Sequence, residues 1–400
     1  MINLEVPTKF RQLVDQAHQA AEAFFRPNSR KYDRAEHTYP KELDVLAALL
    51  DGLSASGGGA GAGGVRRSSS TGDGNQNGAN LRLLLGTIEM CWGDVGLLLS
   101  MPRQGLGNAA IASVANDEQL ARYQGKWAAM AITEPDCGSD SGAIRTTAVR
   151  DGDHYILNGE KIFVTAGERA DCVVVWATLD RALGKAAIKS FVVDRDTPGF
   201  TLVRLEHKLG IKASDTAHFV LDDVRVHKDN LLGSPEINTE QGFAGVMQTF
   251  DNTRPLVAAM AVGVARAALE ETRALLSKAG IDIDYDRPSL SQSAAAATFL
   301  QLEADWEAAY LLSLEAAWMA DNRKPNSLQA SMAKAKAGRS AVDITLRCVE
   351  LTGSLGYSEN SLLEKWARDS KILDIFEGTQ QIQQLIVARR LLGKSSSELK

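Results

Sequence analysis

The sequence predicts an α+β protein of several domains, in which two helical parts enclose a compact antiparallel β region. Three observations support this fold class: a helical period of apolar residues in the first part, β-rich segments separated by turn residues in the middle, and a helical period again in the last part. The length of 400 residues suits two or three domains. The domain boundaries that the pattern predicts are 1–128, 129–236 and 237–400.

The first part is helical because apolar residues such as Phe10, Leu13 and Ala17 lie three or four positions apart. The same spacing recurs up to residue 50 and again in residues 81–125. Between them, residues 52–79 hold 10 of the 34 glycines of the chain. Such a composition buries too little apolar surface to offset the entropy lost on ordering. Because the helical spacing resumes directly afterwards, we predict a mobile loop within one helical domain rather than a linker between two domains.

The middle part contains segments such as HYILNGEKIFVTAG, DCVVVWATL and HFVLDDVRV, which alternate or run apolar and are punctuated by Asp-Gly, Asn-Gly or Pro-Gly pairs. This pattern predicts a compact antiparallel domain over about residues 129–235. Asn-Gly is a strong hairpin signal, so we place a hairpin turn at Asn158 and Gly159, with a strand after it.

The last part has a helical period from residue 241 to about residue 392. Its alanine-rich segment 256–277 includes Gly263, so neighbouring helices can approach it closely. An apolar stripe predicts the buried face of the next helix, and Pro325 with its polar neighbours breaks that helix and caps another. The stripe consists of Phe299, Leu302, Trp306, Ala309 and Leu314.

Composition argues against several classes of protein. Lys and Arg number 44 against 50 Asp and Glu, a net charge of −6, which is unlike the basic surface of a nucleic-acid-binding protein. The widely spaced cysteines indicate neither a zinc site nor a disulfide framework, so we expect the cytoplasm or another reducing compartment such as the mitochondrial matrix. They are Cys91, Cys137, Cys172 and Cys348. We expect no metal site, no secretory signal and no membrane span, because HExxH, an apolar N-terminal core and a run of ~20 apolar residues are all missing.

Two motifs offer groups that suit a flat heteroaromatic ligand. In AITEPDCGSD, residues 131–140, Thr133 and Ser139 supply hydroxyls and Gly138 lets backbone approach a ring or a phosphate; a tight polar turn is the alternative. In LNGEKIFVTAG, residues 157–167, Phe163 and Thr165 share one strand face, where the ring can stack and the hydroxyl can bond to a ring nitrogen. A core Phe with a surface Thr is the alternative there.

The third motif, LDIFEGTQQIQQ at residues 373–384, places Glu377 after two apolar residues and before Gly378. Burial at the mouth of a pocket would raise the pKa of this carboxyl group towards neutrality, as a general base for a weak carbon acid requires. The alternative is an acid that complements the dipole of the helix that follows. The local pattern does not decide between the two.

Together the blocks AITEPDCGSD, LNGEKIFVTAG, KLGIKASDT with FVLDDVRV, FDNTRP and RDSKILDIFEGTQQIQQLIVARR resemble the acyl-CoA dehydrogenase family in order and spacing, from about residue 127 to residue 390. The resemblance implies a helical N-terminal domain, an antiparallel β-barrel middle domain and a C-terminal four-helix bundle. It also implies noncovalent FAD, an acyl-CoA substrate oxidised to trans-2-enoyl-CoA as in fatty acid β-oxidation, an electron-transferring flavoprotein as acceptor, and a tetramer.

The resemblance also implies roles for individual residues. Glu377 takes the position of the base that removes the α-proton while flavin N5 accepts the β-hydride, and Thr253 stands where some relatives carry the base instead. The implied cofactor-binding residues are Met130, Ile132, Thr133, Gly138, Ser139, Phe163, Val164, Thr165, Thr379, Gln380 and Gln381. The implied substrate-binding residues are Ser139, Asp251, Thr253, Arg254 and Gly378.

Two departures from the family pattern concern the cofactor of an adjacent subunit. The Arg-x-x-Phe-Gly motif that holds its pyrophosphate in homotetrameric relatives is absent from residues 277–292, where three aspartates replace the cation; these are Asp282, Asp284 and Asp286. A Gln-x-x-Gly-Gly motif is replaced by a segment that begins with Glu350, and a carboxylate repels a pyrophosphate. Two assemblies stay open: a hetero-oligomer in which a related chain completes the FAD site, and a homo-oligomer with a divergent contact.

Two other functions also stay open. One is a catalytically silent subunit that binds acyl-CoA or scaffolds an active relative, against which the retained Glu377, Thr133 and Thr165 argue. The other is an acyl-CoA oxidase, which the sequence does not separate from a dehydrogenase, because access of oxygen depends on the solvation of the pocket.

Overall fold

The first part of the chain is helical, as the apolar spacing predicts. The computed structural model describes residues 6–54, 77–102, 106–237, 244–395 and 398. The helices are α1 (Thr8–Ala20), continued by a π-helical turn (Ala21–Phe25) into α2 (Arg26–Arg34), then α3 (Glu42–Ser54), α4 (Ala79–Gly93), α5 (Val95–Leu98), α6 (Leu106–Val114) and α7 (Asp117–Arg122). The predicted glycine-rich loop begins inside α3, and its residues 55–76 lie outside the described residues.

A seven-stranded sheet forms the middle part. Its strands are β1 (Ala128–Ala131), β2 (Thr147–Asp151), β3 (His154–Thr165), β4 (Cys172–Thr178), β5 (Ile188–Asp194), β6 (Phe200–Leu205) and β7 (Thr216–His227). Their order is β1-β4-β2-β3-β7-β6, and β5 pairs with β4. Most neighbours are antiparallel as predicted, but β1 and β2 both run parallel to β4. The sheet is therefore mixed.

The predicted hairpin turn at Asn158 and Gly159 is wrong. Both residues lie inside β3, where the ladder with β7 shifts register and forms an irregularity. The hairpin between β2 and β3 turns instead at Gly152, whose φ is 60°, and Asp153, which lie between the paired residues Asp151 and His154. Asn158 exchanges two hydrogen bonds of 2.9 and 2.8 Å with Asp223 of β7. Its side chain thus supports a cross-strand contact and not a turn of its own.

The last part is helical again. Its helices are α8 (Ala244–Lys278), α9 (Ala294–Asp321), α10 (Ser327–Thr352), α11 (Ser354–Tyr357), α12 (Leu363–Leu373) and α13 (Gln380–Leu392). A Cβ atom on Gly263 of α8 would lie 2.4 Å from the carbonyl oxygen of Ile88, so glycine lets α8 pack closely on α4. Pro325 follows the end of α9 as predicted, and Asn326 takes the N-cap position of α10 without a side-chain capping bond.

The predicted apolar stripe of α9 lies in the helical core. Phe299, Leu302, Ala309 and Leu314 are buried, and Trp306 packs against them while its Nε1 donates to the Val262 carbonyl at 2.9 Å. None of the helices that the structure describes is both long and apolar enough to cross a membrane. The domain boundaries at residues 128 and 236 stay predictions.

A buried ion cluster joins the first, middle and last parts of the chain. Lys365 of α12 is 1% exposed, and its Nζ donates to Asp94 at 2.7 Å and to Asp369 one turn along the same helix. Asp94 also accepts from Ser29 of α2, and Asp369 accepts from the backbone N–H of Ile211 in the loop after β6. The orientation of α12 therefore depends on side chains of the first part and on a backbone N–H of the middle part. The loop that follows this helix carries Glu377.

Candidate active site

Glu377 lies in the loop between α12 and α13, in an uncommon backbone conformation. Its φ is 56° and that of Gly378 is 92°, so two consecutive residues occupy the left-handed region. For a residue with a side chain this conformation costs about 1–2 kcal/mol. A Cβ atom on Gly378 would lie 2.4 Å from Nε2 of Gln383, and the positive φ strains any residue with a side chain, so glycine suits this position. At Glu377 the same kind of conformation is a strain that the contacts of the loop have to offset.

Side chains from α10 and α13 hold the backbone of this loop. Gln383 Nε2 donates to the carbonyl oxygens of Glu377 at 3.0 Å and of Gly378 at 3.1 Å. Thr379 is the N-cap of α13, and its hydroxyl accepts from the N–H of Ile382. Because these bonds fix successive peptide groups, they offset the strain at Glu377 and determine where its side chain points.

The Glu377 carboxylate faces α8. Its Oε2 accepts a hydrogen bond of 2.7 Å from Oγ1 of Thr253, a residue that is 4% exposed, and the neighbouring Arg254 is 3% exposed. Burial raises the pKa of Glu377 above that of an ordinary glutamate, while the Thr253 hydroxyl and the charges of Arg254 and Lys334 oppose the rise. The side chain therefore contacts α8, whereas the helix-dipole alternative would direct it to the N-terminus of α13.

Lys334 of α10 is a residue of this cluster that the sequence pattern does not reveal. It is completely buried, and its Nζ donates to the carbonyl oxygen of Gly378 at 2.7 Å. Burial lowers the pKa of Lys334 to about 8, against the opposing effect of Asp374 and Glu377. A lysine in an alanine-rich helix is ordinarily exposed. In the sequence, Lys334 lies four residues before Gly338 and therefore on the same face of α10. A nearby glycine alone does not predict that a lysine is buried.

The first two motifs are joined by a buried ion pair that the sequence analysis also missed. Lys161 of β3 is completely buried and donates to Glu134 Oε1 at 2.7 Å, and Glu134 accepts three more bonds from Arg145 and Thr146. The N–H of Ile162 donates to the Thr133 carbonyl at 2.9 Å. The turn at residues 131–140 is thereby fixed beside β3, so that Thr133 lies next to the strand that carries Phe163.

Phe163 presents an aromatic ring to the surface. Its φ is 57° and it is 58% exposed, within a register shift of β3 between Lys161 and Val164. Val164 is buried on the sheet core, whereas Thr165 is half-buried. The shift breaks the strand alternation and directs the ring away from the core. The shared strand face that was predicted for Phe163 and Thr165 therefore no longer follows from alternation. The exposed ring next to the turn at residues 131–140 is the surface that suits a planar cofactor such as flavin.

The other residues with an implied cofactor or substrate role differ in exposure. Gln380 is 8% exposed, and among the described residues its Oε1 has no hydrogen-bond partner, which leaves an acceptor for a ligand. Met130, Ile132 and Thr133 are half-buried, as are Thr379 and Gly378, whereas Gly138, Ser139 and Gln381 are exposed. Asp251 lies in α8, but its side chain is outside the described residues.

The segments that depart from the family pattern are solvent-facing. Asp282, Asp284 and Asp286 are exposed in the connection between α8 and α9. The carboxylate of Glu350 is paired with Arg347, one turn before it on α10. This ion pair reduces the repulsion expected between Glu350 and a pyrophosphate. The three exposed aspartates remain a source of negative potential in their segment.

Comparison with known proteins gives a consistent result. The profile described as "Acyl-CoA dehydrogenase, middle domain" matches residues 129–224, and that described as "Acyl-CoA dehydrogenase, C-terminal domain" matches residues 240–392. The mitochondrial short-chain specific acyl-CoA dehydrogenase of Bos taurus is 40% identical over 262 residues, which cover 66% of this chain and 62% of that protein. The chain thus matches less than two thirds of the bovine enzyme.

Two bacterial proteins are similar over more of their length. The short-chain specific acyl-CoA dehydrogenase of Clostridium acetobutylicum is 34% identical over 305 residues, which cover 75% of this chain and 78% of that protein. The solved structure of butyryl-CoA dehydrogenase from Megasphaera elsdenii superposes with a TM-score of 0.82 at 27% identity, covering 98% of this chain and 100% of that one.

Proposed function

Because the chain belongs to the acyl-CoA dehydrogenase family, a family of oxidoreductases, we propose that it oxidises an acyl-CoA thioester to a trans-2-enoyl-CoA, with FAD as oxidant and Glu377 as base. The observation that carries the proposal is the Glu377 carboxylate, whose pKa is raised by burial and which Thr253 holds in place. A carboxylate of raised pKa in a half-buried loop suits the removal of a proton from a weak carbon acid.

The chain's own residues supply the proton transfer. Thr253 donates to Oε2 of Glu377, so Oε1 is the oxygen left to accept the α-proton of the thioester. The fixed loop conformation keeps this oxygen in one place, and such pre-positioning avoids an entropy cost during the reaction. The charges of Arg254 and Lys334 favour the ionised form of Glu377 and so oppose the rise in its pKa that burial causes.

Bound FAD would supply the acceptor for the hydride that leaves the β-carbon, which the two-electron oxidation requires. Thr133, Phe163 and Thr165 are the residues that would contact its ring, and Gln380 would meet a donor elsewhere on the cofactor. Their fit rests on the exposed Phe163 ring and on the buried Gln380 Oε1. Ser139 and Arg254 would flank the thioester, beside Gly378.

We expect butyryl-CoA to bleach the absorbance of oxidised flavin under anaerobic conditions and to yield 2-butenoyl-CoA. Relatives are named for short-chain and butyryl substrates, so butyryl-CoA is the first ester to test. Longer, branched and sterol-like acyl-CoA esters are tested after it. Product is identified by mass spectrometry with a ferrocenium acceptor, and the panel is repeated in air to detect hydrogen peroxide. Flavin that stays oxidised with every ester would contradict the proposed reaction.

An electron-transferring flavoprotein is the proposed acceptor, as the family resemblance implies. The proposed compartment is a reducing one, since all four cysteines are buried and unpaired. Neither proposal changes the chemistry at Glu377.

We further propose that the FAD site over Glu377 is completed by a related partner chain and not by a second copy of this one. The three exposed aspartates between α8 and α9 face solvent where homotetrameric relatives offer a cation to a pyrophosphate. Negative side chains disfavour a pyrophosphate. The nearby Arg273 does not replace the cation, because it is engaged with Tyr285 and Glu303.

The count of flavin per chain tests this assembly. Purified alone, the chain should retain well below one FAD per subunit, and co-expression with a related chain should restore binding. Substitution of Asp282→Arg should raise FAD retention of the chain alone, whereas Asp196→Arg, at an exposed position between β5 and β6, serves as a control for added charge. A homotetramer of the unaltered chain with close to one FAD per subunit would rule out the hetero-oligomer.

A further inference from the structure

Helix α10 forms the support on which the Glu377 loop rests. A Cβ atom on Gly338 would lie 2.6 Å from the carbonyl oxygen of Leu373, so only glycine lets the start of this loop contact the helix. Lys334 lies one turn earlier on the same face, and its Nζ reaches the Gly378 carbonyl at 2.7 Å. The two residues thus contact the beginning and the end of the loop that contains Glu377.

Lys334 is also a buried cation close enough to affect Glu377. The negative charges of Glu377 and Asp374 both favour its protonated form, and Arg254 from α8 opposes it. The Asp374 carboxylate also forms ion pairs with Lys371 at 2.9 Å and with Arg339 at 3.6 Å. Glu377 therefore has cations on two sides, Arg254 from α8 and Lys334 from α10, together with the Thr253 hydroxyl.

We propose that Lys334 is a positioning residue for the reaction, which holds the Gly378–Thr379 peptide group directly after Glu377 through the Gly378 carbonyl and presents a positive charge to the Glu377 loop. The reaction itself rests on the proposed function. Lys334 touches neither substrate nor flavin in this role, because it acts through the loop and through its charge. A nearby cation stabilises the ionised carboxylate, so its removal shifts ionisation of Glu377 to higher pH.

Three substitutions separate the two effects of Lys334. Lys334→Met removes both the charge and the donor, Lys334→Gln keeps a donor without charge, and Lys334→Arg keeps both. Lys336→Met is the matched control, because Lys336 lies on the same helix but pairs with Asp305 away from the loop. Thermal unfolding of each variant shows whether it folds; if the Met variant does not, the Gln variant still tests the charge.

The first measurement does not depend on activity. A water-soluble carbodiimide with an amine labels protonated carboxyl groups, and mass spectrometry of the peptide that contains Glu377 gives the fraction labelled against pH. We expect the midpoint to rise by about one pH unit in the Met and Gln variants, as for loss of a neighbouring opposite charge. The Arg and Lys336→Met variants should titrate like wild type.

The second measurement is the pH profile of kcat with an acyl-CoA ester. The Met and Gln variants should be impaired near neutral pH and should recover towards wild type as the pH rises. Equal loss at every pH with an unshifted labelling midpoint would overturn the role of Lys334, because a purely structural residue gives that result. A wild-type protein that oxidises no acyl-CoA overturns the proposed function instead. The labelling midpoints of the variants still show whether the charge of Lys334 affects the ionisation of Glu377.

Discussion

Replacement of Glu377 by Gln should lower the rate of flavin reduction by an acyl-CoA ester by about 10²- to 10⁴-fold, the range that general-base catalysis contributes. The amide has nearly the same shape as the carboxyl group and can still accept from Thr253, but it does not take up the α-proton. Stopped-flow absorbance of the oxidised flavin measures the rate. Glu307→Gln, an exposed position on α9, is the matched control and should be unaffected.

The pH dependence of the wild-type rate gives a second view of the same group. Glu377 acts as a base only when ionised, and burial raises the pKa of its carboxyl group. The rate should therefore fall as the pH drops through a midpoint above the range of an ordinary glutamate. The residual activity of the Gln variant should not show this decrease at low pH. A Gln variant as fast as wild type would show that another group is the base.

The residues around Glu377 made it a candidate base in the sequence, and the family resemblance assigned it that role. Two apolar residues before it and a glycine after it predict a carboxylate in a tight, partly buried turn, and the structure gives positive φ values at both Glu377 and Gly378. Its hydrogen-bond partner Thr253 lies 124 positions away. The spacing of apolar residues predicts helices and strands within stretches of tens of residues, and it does not predict contacts between distant stretches. Only the family resemblance could therefore suggest that Thr253 lies near Glu377.

The buried ions show a further limit of sequence reasoning. Lys161, Lys334 and Lys365 are all nearly inaccessible, although lysine is among the residues least often buried without a partner. Each is buried because an acceptor from a distant element meets it, and that acceptor is unknown until the elements are packed. The misplaced hairpin at Asn158 has the same origin, since its side chain is engaged by Asp223 on another strand. Element type was predictable, whereas polar contacts between elements were not.

Replacement of Lys365 by Met should destabilise the protein by about 3–5 kcal/mol, the usual result when one partner of a buried ion pair is removed. Burial alone would lower the pKa of Lys365, but the charges of Asp369 and Asp94 raise it above its usual value. The lysine therefore stays charged. Its loss leaves the carboxylates of Asp94 and Asp369 buried without their cation. Because this cluster orients α12, we also expect weaker flavin binding as the last turn of α12 and the Glu377 loop loosen.

Unfolding in urea at neutral and at mildly acid pH measures the effect and tests its cause. Burial raises the pKa of Asp369 even with Lys365 present, so in the Met variant this carboxyl group takes up a proton readily and the destabilisation should shrink as the pH falls. Lys371→Met, on the same helix with a side chain that is 42% exposed, should cost less than about 1 kcal/mol. If Lys365→Met costs no more than that control, the cluster does not hold the three parts of the chain together. A loss that is large but independent of pH would indicate instead that the packing of the lysine stem, and not its charge, is what α12 requires.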